Sequence, residues 1–343
     1  MNIQSTDRPS LVCSNVRGVW SLAAALPISI TPATKVHEGD LILCEAVNIG
    51  AYNHVEDLNG CPVELRPGIQ FVGVAGFRES GRSLCGTPPQ SAPSRVHLLN
   101  NGGLVGHADM PPVHLRPLTD LQCRGILTSG GKTLNTVTLA AATARHSKDF
   151  LLGRRHILVL GTGAETGKTT LCCSVIKHAR ALGLKTLAMK IAGTGRARDK
   201  QAYVNAGCDQ ALDFVDCGLP STYTSPSRYQ ACIGKMLDIC ASSDADVVVS
   251  EAGGDSLAGN VDTFLELLTE EEWKTTDCVV VAGDVHALTG FHHHFGRHIP
   301  KPWYYMPTYD TNIVAFRRRK EERLPGAPQE LLLHQIPDLL RAA

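Results

Sequence analysis

The sequence predicts an α/β protein: a mainly parallel sheet in the C-terminal part, preceded by a smaller β-rich, barrel-like part. Three observations predict it. Short apolar runs broken by turn residues fill the chain from Val36 to about Leu127. After Arg155 the texture changes to continuous apolar strands alternating with helical segments. Between the first of those strands and the first helix stands a glycine-rich turn, Gly161 to Gly167.

The 343 residues allow two domains of ordinary size, expected at 1–145 and 150–343. In the first, Leu41-Ile42-Leu43, Val63-Glu64-Leu65, Phe71-Val72-Gly73-Val74 and Val96-His97-Leu98 are separated by Glu38-Gly39-Asp40, Asn59-Gly60, Arg66-Pro67-Gly68 and Asn100-Asn101-Gly102-Gly103. Frequent turns with no long 3.6-residue period point to strands, and to a barrel. The boundary falls between Leu139 and Arg155, where an Ala-rich stretch yields to charged residues. In the second domain His156 to Leu160, Lys185 to Met189, Asp246 to Ser250 and Cys278 to Ala282 read as strands, and the segment after Thr169 to about Leu182 as a helix. Apolar strands with no alternation imply a parallel sheet covered on both faces.

Composition removes several function classes. Lys plus Arg number 33 and Asp plus Glu 33, so the formal charge is zero and no nucleic-acid surface is expected. The run Arg317-Arg318-Arg319-Lys320 reads as a solvated helix face. Twelve cysteines lie scattered with no CxxC pair, as expected of reduced, mostly buried thiols in the cytoplasm. Val19 to Ile28 is too short and too interrupted for a membrane span, and has no basic leader.

The chemistry concentrates in the glycine-rich turn. Strand, turn and helix follow in order as Ile157 to Leu160, then Gly161-Thr162-Gly163-Ala164-Glu165-Thr166-Gly167, then Lys168-Thr169-Thr170 onward. Backbone N–H groups at such a turn and helix start converge on phosphate oxygens, and glycine leaves no Cβ in the way. Lys168 supplies a cation for the β and γ phosphates, and the Thr169 hydroxyl is placed to ligate Mg²⁺. Together these define a P-loop NTPase domain. The strict G-x-x-x-x-G-K-[ST] pattern is met in a variant form, with Gly161 and Gly163 flanking Thr162.

Gly161 to Thr169 resembles the loop of dethiobiotin synthetase in length, in its Gly-Thr start and in its glutamate. Met189-Lys190-Ile191-Ala192-Gly193-Thr194-Gly195 resembles that family's second strand and turn. Ser250-Glu251-Ala252-Gly253-Gly254 resembles its Glu-Gly-Ala-Gly-Gly segment, whose glutamate helps hold Mg²⁺. The resemblance implies that Lys190 faces the acceptor or the transferring phosphoryl group, and that Thr169, Glu251 and Asp199 fix the metal. The β-rich domain has no counterpart there. For the whole chain, Glu38-Gly39-Asp40-Leu41 and Asp213 to Tyr223 resemble two-domain P-loop proteins related to the DgcN family of D-glutamate N-acetyltransferases.

Independently of family, Glu251 follows an apolar strand, where open α/β sheets bind ligands. Asp213 and Asp216 are expected to orient a loop, and Ser221 and Tyr223 are pocket candidates. Asp284 and Asn312 are candidates for nucleotide contact. His292-His293-His294, with His286 and His298, reads as a polar loop after the fourth strand, since adjacent imidazoles do not readily converge on one ion.

Three functions remain open on these residues. The first is an ATP- and Mg²⁺-dependent ligase-type enzyme that phosphorylates a small-molecule carboxylate or carbamate for attack by a nucleophile such as an amine. The second is a DgcN-like N-acyltransferase using acyl-CoA. The third is a regulatory or delivery NTPase acting on a protein partner. No Asn-Lys-x-Asp guanine-reading motif is visible, which favours ATP over GTP. The resemblance implies a homodimer.

Overall fold

The computed structural model describes residues 11–141, 149–254, 256–300, 302–326 and 328–341. The expected domain boundary falls largely on 142–148, outside the described residues. The chain divides into two compact units. One comprises the described residues of Met1–Ala144 with Thr194–Arg198 and Phe214–Ile233. The other comprises the described residues of Arg145–Gly193, Asp199–Asp213 and Gly234–Ala343.

The first unit holds strands β1 (Ser29–Thr31), β2 (Leu41–Asn48), β3 (His54–Glu56), β4 (Pro62–Glu64), β5 (Gln70–Ala75), β6 (Gly86–Thr87), β7 (Ser94–Leu98), β8 (Leu104–Ala108), β9 (Asp120–Ser129) and β10 (Lys132–Thr133). Helices α1 (Trp20–Ala24) and α2 (Thr136–Ala141) are short. Strand β9 pairs with β2, β2 with β5, β5 with β8, β8 with β7, and β7 with β9 again, so five strands close into a barrel. Closure leaves these strands no open edge. Ile42, Cys44, Phe71, Val96, Leu98, Val105, Leu121 and Cys123 belong to one apolar core. Leu41, Leu43, Val72 and Val74, on the opposite faces of β2 and β5, belong to a second core with Val19, Ala23 and Ala140. Burial on both faces is why Leu41 to Leu43 and Phe71 to Val74 are apolar without alternation.

Two later segments complete this unit. The Glu56 carboxylate, 4 % exposed, accepts from Ser14 Oγ (2.9 Å), Arg196 Nε (3.0 Å) and the Ala197 amide (2.8 Å). Asn15 Nδ2 donates to the Pro220 carbonyl and Asn100 Nδ2 to the Gly195 carbonyl, both at 3.3 Å. Gly195 must be glycine here, because a Cβ would lie 2.0 Å from Asn15 Oδ1.

The second unit holds β11 (Arg155–Gly161), α3 (Lys168–Ala181), β12 (Thr186–Ala192), most of α4 (Ala197–Ala206), β13 (Gln210–Asp213) and the later part of α5 (Pro226–Ser242). Then follow β14 (Val247–Ala252), α6 (Val261–Leu267), α7 (Glu270–Thr275), β15 (Thr276–Ala282), α8 (Val285–Phe295), β16 (Tyr304–Pro307), α9 (Ile313–Arg323), β17 (Gln329–Glu330) and α10 (Ile336–Arg341). The sheet order is β13-β12-β14-β11-β15-β16-β17, and every pairing is parallel. Strands β12, β14 and β15 are buried at every position, including the polar Lys190, Glu251 and Asp277 that interrupt their apolar runs. From central β11 the chain passes to β12 on one side and later to β15 and β16 on the other. That reversal falls at β11, and sheets of this kind take ligands at the carboxyl ends of the strands beside such a reversal.

Several local expectations are corrected. His292, His293 and His294 form the last turn of α8 rather than a loop. His292 lies 5.9 Å from the Trp303 ring and His294 Nε2 lies 3.8 Å from Asp262. In the Arg317 to Lys320 run the three arginines are exposed, but Lys320 is buried beside the Tyr305 ring. All twelve cysteines are free thiols, eight of them buried. Among the described residues no helix is long and apolar enough to cross a membrane.

Candidate nucleotide-binding site

The glycine-rich turn leaves the end of β11 and enters α3, with Lys168 as the first helical residue. Gly167, just before the helix, has φ +99°, a left-handed conformation suited to glycine. Glu165 is also left-handed, at φ 61°, and exposed. The loop is tied at its base. Thr162 donates its amide to the Val281 carbonyl (3.0 Å), and its hydroxyl accepts from the Gly283 amide (3.1 Å). Ser256 Oγ donates to the Gly161 carbonyl (2.7 Å), and Thr166 Oγ1 to the Gly163 carbonyl (3.2 Å). Ala164 is partly exposed in the loop, and Thr170 is exposed on the first turn of α3.

Lys168 is 4 % exposed, and its ammonium donates to the carbonyls of Gly163 (2.5 Å) and Gly254 (2.8 Å). The cation thus lies between the loop and the turn after β14. Gly161 has to lack a Cβ, which would sit 2.7 Å from Lys168 Cδ.

Beside it the fold assembles a buried polar cluster. Strands β12 and β14 pair in parallel so that Lys190 stands opposite Glu251. The strand containing Lys190 runs on to Ala192 with a register shift after Lys190, so the lysine lies inside the strand rather than at its end. Lys190 Nζ donates to Glu251 Oε1 at 2.9 Å and also pairs with Asp199. Thr169 Oγ1 donates to the same Oε1 at 3.0 Å. Tyr203 OH donates to Glu251 Oε2. Exposures of 2 % for Glu251, 7 % for Lys190 and 1 % for Tyr203 place all three out of bulk water.

Burial opposes the charge on Lys190, but the carboxylates of Asp199 and Glu251 outweigh it and hold the pKa above the ordinary lysine value. Burial, followed by the charge of Glu251, pushes the Tyr203 phenol well up, so it remains a donor. Gly253 keeps this corner open: a Cβ there would lie 2.4 Å from the Ala192 carbonyl and 2.9 Å from Lys190 Nζ. Beneath Glu251, buried His156 bridges Ser250 Oγ (2.8 Å) and Thr276 Oγ1 (3.0 Å), which couples β11 to both neighbouring strands.

The expected catalytic and metal residues Lys168, Thr169, Lys190, Asp199 and Glu251 lie in one unit, and the last four are linked by the contacts just given. The Thr169 hydroxyl and the Glu251 carboxylate form a pair of hard oxygen donors of the kind Mg²⁺ takes with phosphate oxygens. Lys190 engages Asp199 and Glu251 alike, and Glu251 Oε1 also accepts from Thr169. Among the described residues no group of three or more His, Cys, Asp or Glu is arranged to hold a metal without a phosphate.

Other candidates go elsewhere. Asp284 and Asn312 cap α8 and α9, accepting from the amides of Ala287 (2.8 Å) and Ala315 (3.0 Å). Asp213 is buried at the end of β13 opposite Lys190, and Asp216 lies in a single 3-10 turn. Ser221 belongs to the first unit, donating to the Phe77 carbonyl at 2.6 Å and accepting from the Tyr223 amide. Tyr203 was not a sequence candidate. It follows Asp199 by four residues on α4, so the two share a helix face, and that spacing is the signal that marks it.

A parallel sheet with its reversal at β11, a glycine-rich loop passing into Lys168-Thr169, and a carboxylate on the adjacent strand define the class: this is a P-loop NTPase fold. Solved structures similar to the chain include the signal recognition particle receptor FtsY from Elizabethkingia anophelis, at 14 % identity over 60 % of this chain and 70 % of that one, with a TM-score of 0.36. Another is the hydrogenase maturation factor HypB from Archaeoglobus fulgidus, at 14 % identity over 56 % of this chain and 92 % of that one, with a TM-score of 0.38. Likenesses this distant concern the fold alone. No family model matches the chain, and no curated protein matches it.

Proposed function

We propose that the protein binds a Mg²⁺-nucleoside triphosphate, with ATP as the expected nucleotide, and transfers its γ-phosphoryl group to a carboxylate or carbamate of a small molecule. A carboxylate oxygen attacks the γ phosphorus and the bond from phosphorus to the β–γ bridging oxygen breaks. ADP leaves and a mixed anhydride forms. A nucleophile such as an amine then attacks the carbonyl carbon and expels inorganic phosphate.

The observation that best supports this reading is the pair of buried cations, Lys168 held between the glycine-rich loop and the turn after β14, and Lys190 on the Glu251 that Thr169 also meets. Lys168 and the loop amides offset charge on the phosphates, and a metal held by Thr169 and Glu251 would supply further neutralisation. Lys190 keeps a positive charge beside the site without competing for protons, since its carboxylate partners stabilise its charged form.

The test has two parts. A thermal-shift series with Mg²⁺ and ATP, GTP or acetyl-CoA should show stabilisation by ATP, and ligand at 100 times Kd stabilises by about 2.7 kcal/mol. Lys168→Ala should lose that shift. Hydroxylamine trapping of the anhydride, with ADP release dependent on a carboxylate acceptor, then tests the transfer. Stabilisation by acetyl-CoA but not by either nucleotide would overturn the proposal, and so would ADP release that no small-molecule acceptor stimulates.

A further inference from the structure

We infer that Lys190 is a built-in competitor of the divalent ion, holding Glu251 closed to free metal until an incoming triphosphate draws the ammonium away. The inference rests on the reading that this site binds a metal-nucleotide complex. Lys190 Nζ sits on Glu251 Oε1 at 2.9 Å and on the carboxylate of Asp199. Oε2 accepts from Tyr203 OH, so the carboxylate has no second oxygen to offer in its place. Thr169 Oγ1 also donates to Oε1, but a hydroxyl can turn its hydrogen elsewhere and present lone pairs instead. An ammonium has only hydrogens to present. An ion therefore gains Oε1 only by displacing Lys190.

Charge decides when that happens. Without nucleotide the ammonium lies between two carboxylates in a corner almost closed to water, with Glu251 2 % and Lys190 7 % exposed. A divalent ion added there puts positive charge in excess, with little water to screen it. A neighbouring cation lowers a carboxylate's affinity for a proton by about ten- to a thousandfold, and a metal ion meets the same opposition. A triphosphate brings several negative charges of its own, which balance the ion and attract Lys190. Metal and nucleotide then each raise the affinity of the other. Once the ammonium is removed, Asp199 and Glu251 face one gap as two carboxylates, hard oxygen donors that a divalent ion takes unaided.

The experiment uses Mn²⁺, which takes the oxygen ligands of Mg²⁺ and reports its own binding by electron paramagnetic resonance. The full chain is titrated with Mn²⁺ alone and with Mn²⁺ and ATP, as wild type, Lys190→Met, Lys190→Gln and Lys190→Arg, and melting curves verify that each is folded. Wild type should bind Mn²⁺ at least about tenfold more tightly with ATP than without, and Lys190→Met should bind Mn²⁺ alone at least about tenfold more tightly than wild type does. The melting temperature of Lys190→Met should also recover as Mn²⁺ is added. Lys190→Gln, neutral and of similar length, carries the same expectation if Lys190→Met does not fold. Lys190→Arg keeps the charge and should behave as wild type, and adding Glu251→Gln to the neutral variant should abolish its gain. A gain in Lys190→Arg, or one that survives Glu251→Gln, overturns the inference. A merely structural lysine would lower the melting temperature without raising the affinity for Mn²⁺, which also overturns it while ATP binding in wild type stays intact. No binding of ATP by wild type, with or without the ion, overturns the underlying reading as well.

Discussion

Replacing Lys190 by methionine removes the charge but retains most of the stem. In the folded protein Lys190 donates to Glu251 Oε1 at 2.9 Å and pairs with Asp199, at 7 % exposure. The substitution strands two carboxylates, one of them 2 % exposed, with no cation between them. Breaking a buried pair from one side costs about 3–5 kcal/mol. For a unit of this size that corresponds to a fall of roughly 6–20 °C in Tm. The pH dependence follows from the direction of the shift. The folded pKa of Lys190 lies above its ordinary value of 10.5, so its stabilisation is complete below about pH 10 and is lost only as pH rises through the higher folded value. Between pH 6 and 9 wild type therefore keeps the whole contribution. Urea denaturation followed by tryptophan fluorescence gives the difference at pH 8. A loss below about 1 kcal/mol, the range of exposed pairs, would refute the reasoning.

Two further substitutions test the frame around the site. His156→Leu leaves the buried Ser250 hydroxyl without this partner, while Thr276 Oγ1 keeps its bond to the Glu272 carbonyl, and one unmet group costs about 1–3 kcal/mol. The same denaturation curve should move to lower urea by that amount, and Phe at this position should do no better. Glu56→Ala removes the acceptor of Ser14, Arg196 and the Ala197 amide in the first unit, leaving Arg196 without its carboxylate. A loss of about 3–5 kcal/mol is expected. Amide hydrogen exchange at Ala197 should rise in that variant and stay level in a control such as Glu64→Ala, whose carboxylate lies on the surface.

The parallel sheet was legible because its strands carry no alternation: a run such as Val247-Val248-Val249 has both faces to bury. The phosphate loop was legible because the backbone geometry it needs restricts the residues allowed, Gly161, Gly163 and Gly167 above all. Lys190 and Glu251 could be picked out by their place near strand ends, but their contact depends on β12 and β14 lying side by side in one register, which nothing local encodes. Tyr203 was missed for the same reason. The short strands β13, β16 and β17 escaped notice because four residues or fewer give no period. His292 to His294 misled because a polar triplet suggests a loop, whereas Phe291 and Phe295 on either side anchor the helix through the Phe291–Phe295 stack and the contact of Phe291 with Trp303. Asp284 and Asn312 show how a helix cap imitates a site residue: both functions place an oxygen at an amide-rich terminus.

The return of Thr194–Arg198 and Phe214–Ile233 to the first unit has a consequence for how the protein is made. Asn15 meets the Pro220 carbonyl across 205 residues of sequence, and Glu56 meets Ala197 across 141. A ribosome must therefore add 205 residues after Asn15 before that residue meets Pro220, and synthesis at about 5–20 residues per second makes that wait many seconds long. During that interval the buried Val215 and Leu219 have not been supplied, so the first unit is completed only after much of the second has been synthesised.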